Sequence, residues 1–161
     1  MIEQTIANWH ALLRGEFPGG LDELLADDVV FFSPIVFTPQ RGKEVTKLYL
    51  NAAAATFNGQ QEKQGVAGNG GSKFRYTKEV LSGNHAVLEF ESEVAGKHVN
   101  GVDIITCNDE GKIVEFRVMV RPLQAVKLMH AQMKAMLEKM QPSAKNLTQE
   151  GGAATGGPRN E

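Results

Sequence analysis

The sequence predicts an α+β fold: a cone-shaped, curved antiparallel sheet packed on three N-terminal helices, with one more helix behind it. Three observations predict this. Apolar residues recur at three- and four-residue spacing early in the chain, four strand-like segments then follow in a row, and tight-turn signals separate them.

Residues 2–14 place Ile2, Ile6, Trp9, Leu12 and Leu13 on one helical stripe, which the sequence FPGG ends. A short second helix is expected over 20–26, and a short buried strand over Val29–Phe32. Ser33-Pro34 to Pro39 reads as an irregular loop held by two prolines. Residues 42–57 read as a third helix through Val45, Leu48, Tyr49, Ala52 and Phe57. The stretch 58–72 has five glycines and almost no apolar content. It reads as a mobile loop, either a surface linker or a lid over a pocket mouth.

Strands are expected over 73–82, 85–95, 97–108 and 111–121. Gly83-Asn84, Ala95-Gly96 and Asp109-Glu110-Gly111 punctuate them as hairpin turns, so the pattern is an antiparallel meander. Alternation puts Phe116, Val118 and Val120 on one face against Arg117, Met119 and Arg121, and Leu88 and Phe90 against Glu89, Glu91 and Glu93. A last helix spans about 123–140, with Leu123, Val126, His130, Met133, Leu137 and Met140 on a stripe. Residues 1–140 make one domain, and 141–161 have the composition of a disordered tail.

The charge balance of -2 gives no electrostatic reason to expect nucleic acid or an anionic membrane as partner. No apolar run approaches the roughly 18 residues that cross a bilayer. Glu3, Gln4, Asn8 and His10 interrupt the start where a signal peptide needs an apolar stretch. One cysteine, Cys107, permits no internal disulfide and fits a reducing compartment, so a cytoplasmic location is expected. The four histidines are dispersed without zinc-ligand spacing, and the glycine-rich segment lacks the ending of a phosphate loop. No metal and no cofactor are expected.

Two stretches, LADDVVFFSPIVFTPQRGKE (25–44) and GVDIITCNDEGKIVEF (101–116), resemble the nuclear transport factor 2-like superfamily. That superfamily includes SnoaL-like cyclases, limonene epoxide hydrolases and ketosteroid isomerases. The resemblance covers about residues 2–121 and implies a pocket inside the cone, with function carried by the pocket rather than by the fold. Laid on ketosteroid isomerase, the oxyanion-binding acid falls on Asp103 and the general base on Ser33. The tyrosine of the first helix falls on Trp9, and a second tyrosine on Leu50, next to Tyr49. A serine does not shuttle protons at neutral pH without a neighbouring base, which speaks against that isomerase mechanism. An epoxide hydrolase would need an arginine at the position of Gly101.

Asp103 lies in an otherwise apolar strand, on the face of Val99, Gly101 and Ile105. A carboxyl in such a site is expected to hold its proton and to donate to a ligand oxygen, the role its counterpart has in ketosteroid isomerase. The alternative is a structural carboxylate capped by Trp9 or by a backbone amide. The expected pocket is lined by Trp9, Phe31, Ser33, Tyr49, Leu88, Phe90, Val99, Phe116, Val118 and Val120, around Asp103 as the catalytic acid. Its ligand is a compact, mostly apolar molecule with one carbonyl or hydroxyl. The opposite sheet face mixes Glu89, Glu91, Glu93, Arg117 and Arg121 with Val102, Ile104 and Met119, and is expected to form a homodimer; a solvated face is the alternative. The methionine-rich last helix is expected to cover that face or extend its interface. Two functions follow: a small-molecule binding protein, as isomerase, cyclase or hydrolase, or a non-catalytic dimeric interaction module with a filled cone. An empty cavity of several hundred Å³ separates the first from the second.

Overall fold

The computed structural model describes residues 1–58 and 73–140; the expected loop beyond residue 58 and the expected tail at 141–161 lie outside the described residues. The elements run α1 (Ile2–Leu13), α2 (Gly20–Leu24), β1 (Leu25–Phe32), β2 (Gln40–Arg41), α3 (Lys43–Asn58), β3 (Arg75–Ser82), β4 (His85–Val94), β5 (Lys97–Cys107), β6 (Ile113–Arg121) and α4 (Leu123–Met140).

The meander β3–β4–β5–β6 is antiparallel throughout, as the turn signals require. At Ala95-Gly96 both turn residues have positive φ, 49° and 76°, the backbone a two-residue hairpin needs. The sheet continues past the meander in the order β2-β1-β6-β5-β4-β3, and here it differs from expectation. β1 runs parallel to β6, and the short β2 adds antiparallel to its outer side. β1 also starts at Leu25, four residues before the expected strand, because Leu25 is already extended and ends α2. Asp27 and Asp28 point outward along it, and a register shift between Leu25 and Val30 breaks the apolar run that marks a strand in sequence. Register also shifts between Tyr76 and Lys78 and between Thr106 and Cys107. Bulges of this kind bend a sheet, and here they curve it around the helices.

The concave face carries two buried clusters. One packs α1 through Ile2, Ile6 and Trp9 against Leu88, Ile105 and Phe116. Thr5, fully buried, pins this helix by donating its hydroxyl to the Gly111 carbonyl at 2.9 Å, in the turn between β5 and β6. The other cluster joins Phe90, Val94 and Val99 to Ala125, Met129 and Met133 of α4. The last helix therefore covers the concave face, not the outer one. Its buried stripe runs Ala125–Met129–Met133, which turns Leu123 and His130 of the expected stripe out to solvent. The i, i+4 spacing of those three residues, with small Ala125 at the closest approach, sets that rotation.

Candidate functional site

The two clusters leave between them a cavity of about 340 Å³. Trp9 and Leu13 of α1, Leu50 and Phe57 of α3, Phe90 of β4, Phe116 and Val118 of β6, and Met129 and Met133 of α4 make it an apolar chamber. Asp103 borders it from β5, the strand held on both sides by β4 and β6 through the pairs Asp103↔Leu88 and Asp103↔Val118. A carboxyl on a central strand is fixed in position by two ladders of backbone hydrogen bonds.

Two register positions away, on the same face, Gly101 lies opposite Phe90 across the ladder. A methyl group on Gly101 would lie 2.4 Å from the Phe90 ring and 2.5 Å from the Met119 carbonyl oxygen. The lack of a side chain there lets the Phe90 ring lie flat over the strand as cavity wall, and it leaves no room for an arginine.

The polar core of the site is a chain of three residues. The indole of Trp9 donates from Nε1 to the Tyr76 hydroxyl at 2.9 Å, and that hydroxyl donates to Oδ2 of Asp103 at 2.6 Å. The direction is forced, because an indole N–H can only donate. The Tyr76 oxygen accepts from it, so its proton goes to Asp103. Among the described residues that bond is the one hydrogen bond to the carboxyl. With Oδ2 serving as acceptor, the proton of the neutral acid resides on Oδ1.

Asp103 is 5% exposed, and burial pushes its carboxyl from 3.8 up to about 7. The Tyr76 hydrogen bond pulls the other way and is the weaker effect. Burial, and after it the negative charge of Asp103, hold the Tyr76 phenol well above its ordinary range, so it stays a donor at neutral pH. At physiological pH the carboxyl thus populates its protonated form in an apolar chamber, and a protonated carboxyl can donate to an oxygen that enters.

Of the residues expected around the pocket, Trp9, Phe31, Phe90, Phe116, Val118 and Asp103 border the cavity. Ser33, Tyr49, Leu88, Val99 and Val120 do not, each for its own reason. Ser33 Oγ accepts the backbone N–H groups of Ile35 and Val36 at 3.0 and 3.3 Å, which closes a local turn; its neighbour Pro34 reaches the cavity instead. Tyr49 stacks on Phe31 with ring centroids 5.3 Å apart, and Leu50 beside it lines the chamber. Leu88 is fully buried in the α1 cluster, while Val99 and Val120 belong to the cluster under α4. The cap expected on Asp103 from Trp9 or a backbone amide comes from Tyr76, with Trp9 one bond further back. Sequence reasoning missed Tyr76. The usable signal was its aromatic side chain in RYTKE, an otherwise polar stretch in which its neighbours are Arg75 and Thr77.

Neither a family model nor a curated protein sequence matches the chain. Solved structures do. A steroid delta-isomerase from Pseudomonas aeruginosa is 31% identical, with a TM-score of 0.73 over 86% of this chain and 93% of its own. An uncharacterized protein with a cystatin-like fold from Silicibacter pomeroyi DSS-3 is 27% identical, with a TM-score of 0.69 over 91% and 92% of the two chains. A nuclear transport factor 2-like protein of unknown function from Mesorhizobium loti shares the fold at 19% identity and a TM-score of 0.58, over 75% and 91%. The bent sheet, the apolar chamber it holds and the identity to the first of these over nearly its whole length agree: the chain belongs to the nuclear transport factor 2-like, ketosteroid-isomerase-like superfamily.

Proposed function

We propose that the protein binds a compact, mostly apolar molecule in the cone and recognises one carbonyl or hydroxyl oxygen of it through protonated Asp103. The single observation that carries this is the Trp9–Tyr76–Asp103 chain bordering an apolar chamber. A chamber of about 340 Å³ is at the small end of ligand sites, which favours a ligand of two or three rings at most. The cavity is open space where the interaction-module reading needs a filled cone. As an enzyme the protein would be an isomerase, cyclase or hydrolase in which Asp103 polarises a carbonyl. Ser33, tied into its turn, supports no share in that chemistry.

The outer sheet face supports a homodimer as the assembly. Val80, Val87 and Ile104 lie side by side across β3, β4 and β5, and Met119 lies opposite Val102. Val80 and Met119 are about half exposed. Glu91, Glu93 and Arg117 beside this strip are paired within the chain, to Arg75, Lys73 and Glu115, so the apolar strip itself supports the contact between two copies related by a two-fold axis. The lone thiol, Cys107, is buried and unpaired, which fits a cytoplasmic setting.

The binding test uses 2-naphthol, an apolar two-ring molecule with one hydroxyl, followed by its fluorescence. Wild type is expected to bind it, and Asp103→Leu to weaken binding about tenfold, the worth of one good hydrogen bond. Equal affinity in the two proteins would remove Asp103 from recognition.

A further inference from the structure

Along β4 the inward-facing residues are Leu88, Phe90, Ser92 and Val94, with Glu89, Glu91 and Glu93 turned outward between them. Leu88, Phe90 and Val94 are apolar and at most 1% exposed. Ser92 breaks the pattern. It is 7% exposed, and among the described residues its Oγ is the one fully buried side-chain polar atom without a hydrogen-bond partner. We propose that Ser92 is a second polar anchor for the bound molecule, which therefore carries an oxygen at each end, one for Asp103 and one for Ser92. The proposal rests on the binding reading given above and adds to it a second contact and an elongated shape.

A hydroxyl at a core position is unfavourable unless something bonds to it, because it gave up water on folding. Every neighbour marks this as a core position. Phe90 and Val94 flank Ser92 on its own face and Val99 lies opposite on β5, and all three belong to the cluster under α4. A valine there would keep the alternation and pack against the same helix, so the chain forgoes stability by placing a polar group at this point. The serine hydroxyl both donates and accepts, which suits it to a carbonyl or a hydroxyl oxygen.

The two anchors share one face of the sheet. Asp103 lies opposite Leu88, and Ser92 follows Leu88 by four residues on the same strand. At roughly 3.4 Å per residue that is about 13 Å, the reach of a rod of two joined rings with a hydrogen bond at each end. Phe90 lies midway between Leu88 and Ser92 and borders the chamber, and Gly101 opposite it leaves the ring flat as a surface for such a rod. Met129 and Met133 border the chamber and also belong to the cluster around Ser92, while Ser92 itself stands outside the chamber lining. Methionine is unbranched and turns about three bonds, so Met133 can give way to a ligand where a branched residue would not. A hydroxyl that is unpaired in the free protein and paired in the complex contributes more to binding than one that exchanges water for ligand.

The test compares p,p′-biphenol, a rigid rod with a hydroxyl at each end, with p-phenylphenol, the same rod with one. Fluorescence titration gives both affinities, and 2-naphthol is measured on the same proteins. Wild type is expected to bind the two-ended rod about tenfold tighter, the effect of one good hydrogen bond. Ser92→Ala is expected to bring the two rods within about twofold, the factor for two equivalent ends, and to leave p-phenylphenol and 2-naphthol where they were. In urea, ligand-free Ser92→Ala is expected to unfold at a higher midpoint than wild type, because the unpaired hydroxyl is gone. Equal affinity of the rods in wild type, or a preference that survives in Ser92→Ala, overturns the proposal. So does a lower midpoint for Ser92→Ala, which would mean that a buried water already pairs the hydroxyl. Wild type that binds 2-naphthol and neither rod overturns it with the binding reading intact; wild type that binds none of the three overturns both.

Discussion

The Tyr76 hydroxyl sits 2.6 Å from Oδ2 of Asp103, and because Trp9 donates to the same hydroxyl its proton points at the carboxyl. One consequence is chemical: the carboxyl accepts on one oxygen and is left to donate from the other. Another is thermodynamic, because a buried acid stabilised in its neutral form ties folding to pH.

Asp103 rises from 3.8 to about 7 on folding. Between those values the folded chain holds a proton that the unfolded chain has released, so stability falls as pH climbs from about 4 to about 7 and is then flat. At roughly 1.4 kcal/mol per unit the full effect is about 4 kcal/mol. Asp103→Asn keeps the acceptor for Tyr76 and has nothing to ionise. Denaturant unfolding at pH 8 is expected to show the variant more stable than wild type by up to that amount, with the gap shrinking as pH falls and closing by about pH 4. A gap independent of pH would show that the carboxyl does not titrate between the two.

Gly101→Ala puts a methyl group into the Phe90 ring and the Met119 carbonyl oxygen. Phe90 has to swing, and the wall beside Asp103 moves with it. A cost of about 1–3 kcal/mol in unfolding free energy is expected, as for other overpacked cores, together with weaker 2-naphthol binding. Unchanged binding would mean that this wall does not shape the ligand site.

The outer face is tested by charge. Val87→Lys combined with Met119→Lys places cations in the middle of the apolar strip. Light scattering is expected to read a dimer for wild type and a monomer for the double variant, with circular dichroism unchanged. Dimer mass in both would move the interface elsewhere.

Much of this architecture is legible in the sequence because periodicity and turn chemistry are local. The bounds of α4 and the three hairpins follow from spacing and from Gly83, Ala95-Gly96 and Gly111. What stayed hidden is non-local. The pairing of β1 beside β6 joins segments more than eighty residues apart and has no local signature. Alternation gave Leu88 and Val99 the correct face, but a face says nothing of depth, and α1 and α4 cover those two positions. The bulge after Tyr76 reverses the parity on which such readings rest, which is why Tyr76 did not stand out. Ser33 was placed by resemblance; its hydroxyl accepts the backbone amides of Ile35 and Val36, and Pro34 rather than Ser33 borders the chamber.

Carbon-13 NMR titration of the Asp103 carboxyl, in wild type and in Tyr76→Phe, reaches the acid itself. The predicted result is a midpoint near 7 in wild type and a higher one in Tyr76→Phe, where the hydrogen bond that favours the charged form is gone. A wild-type midpoint near 3.8, the value of a carboxyl in water, would contradict the account: the group would then be a solvated anion with no proton to offer a ligand.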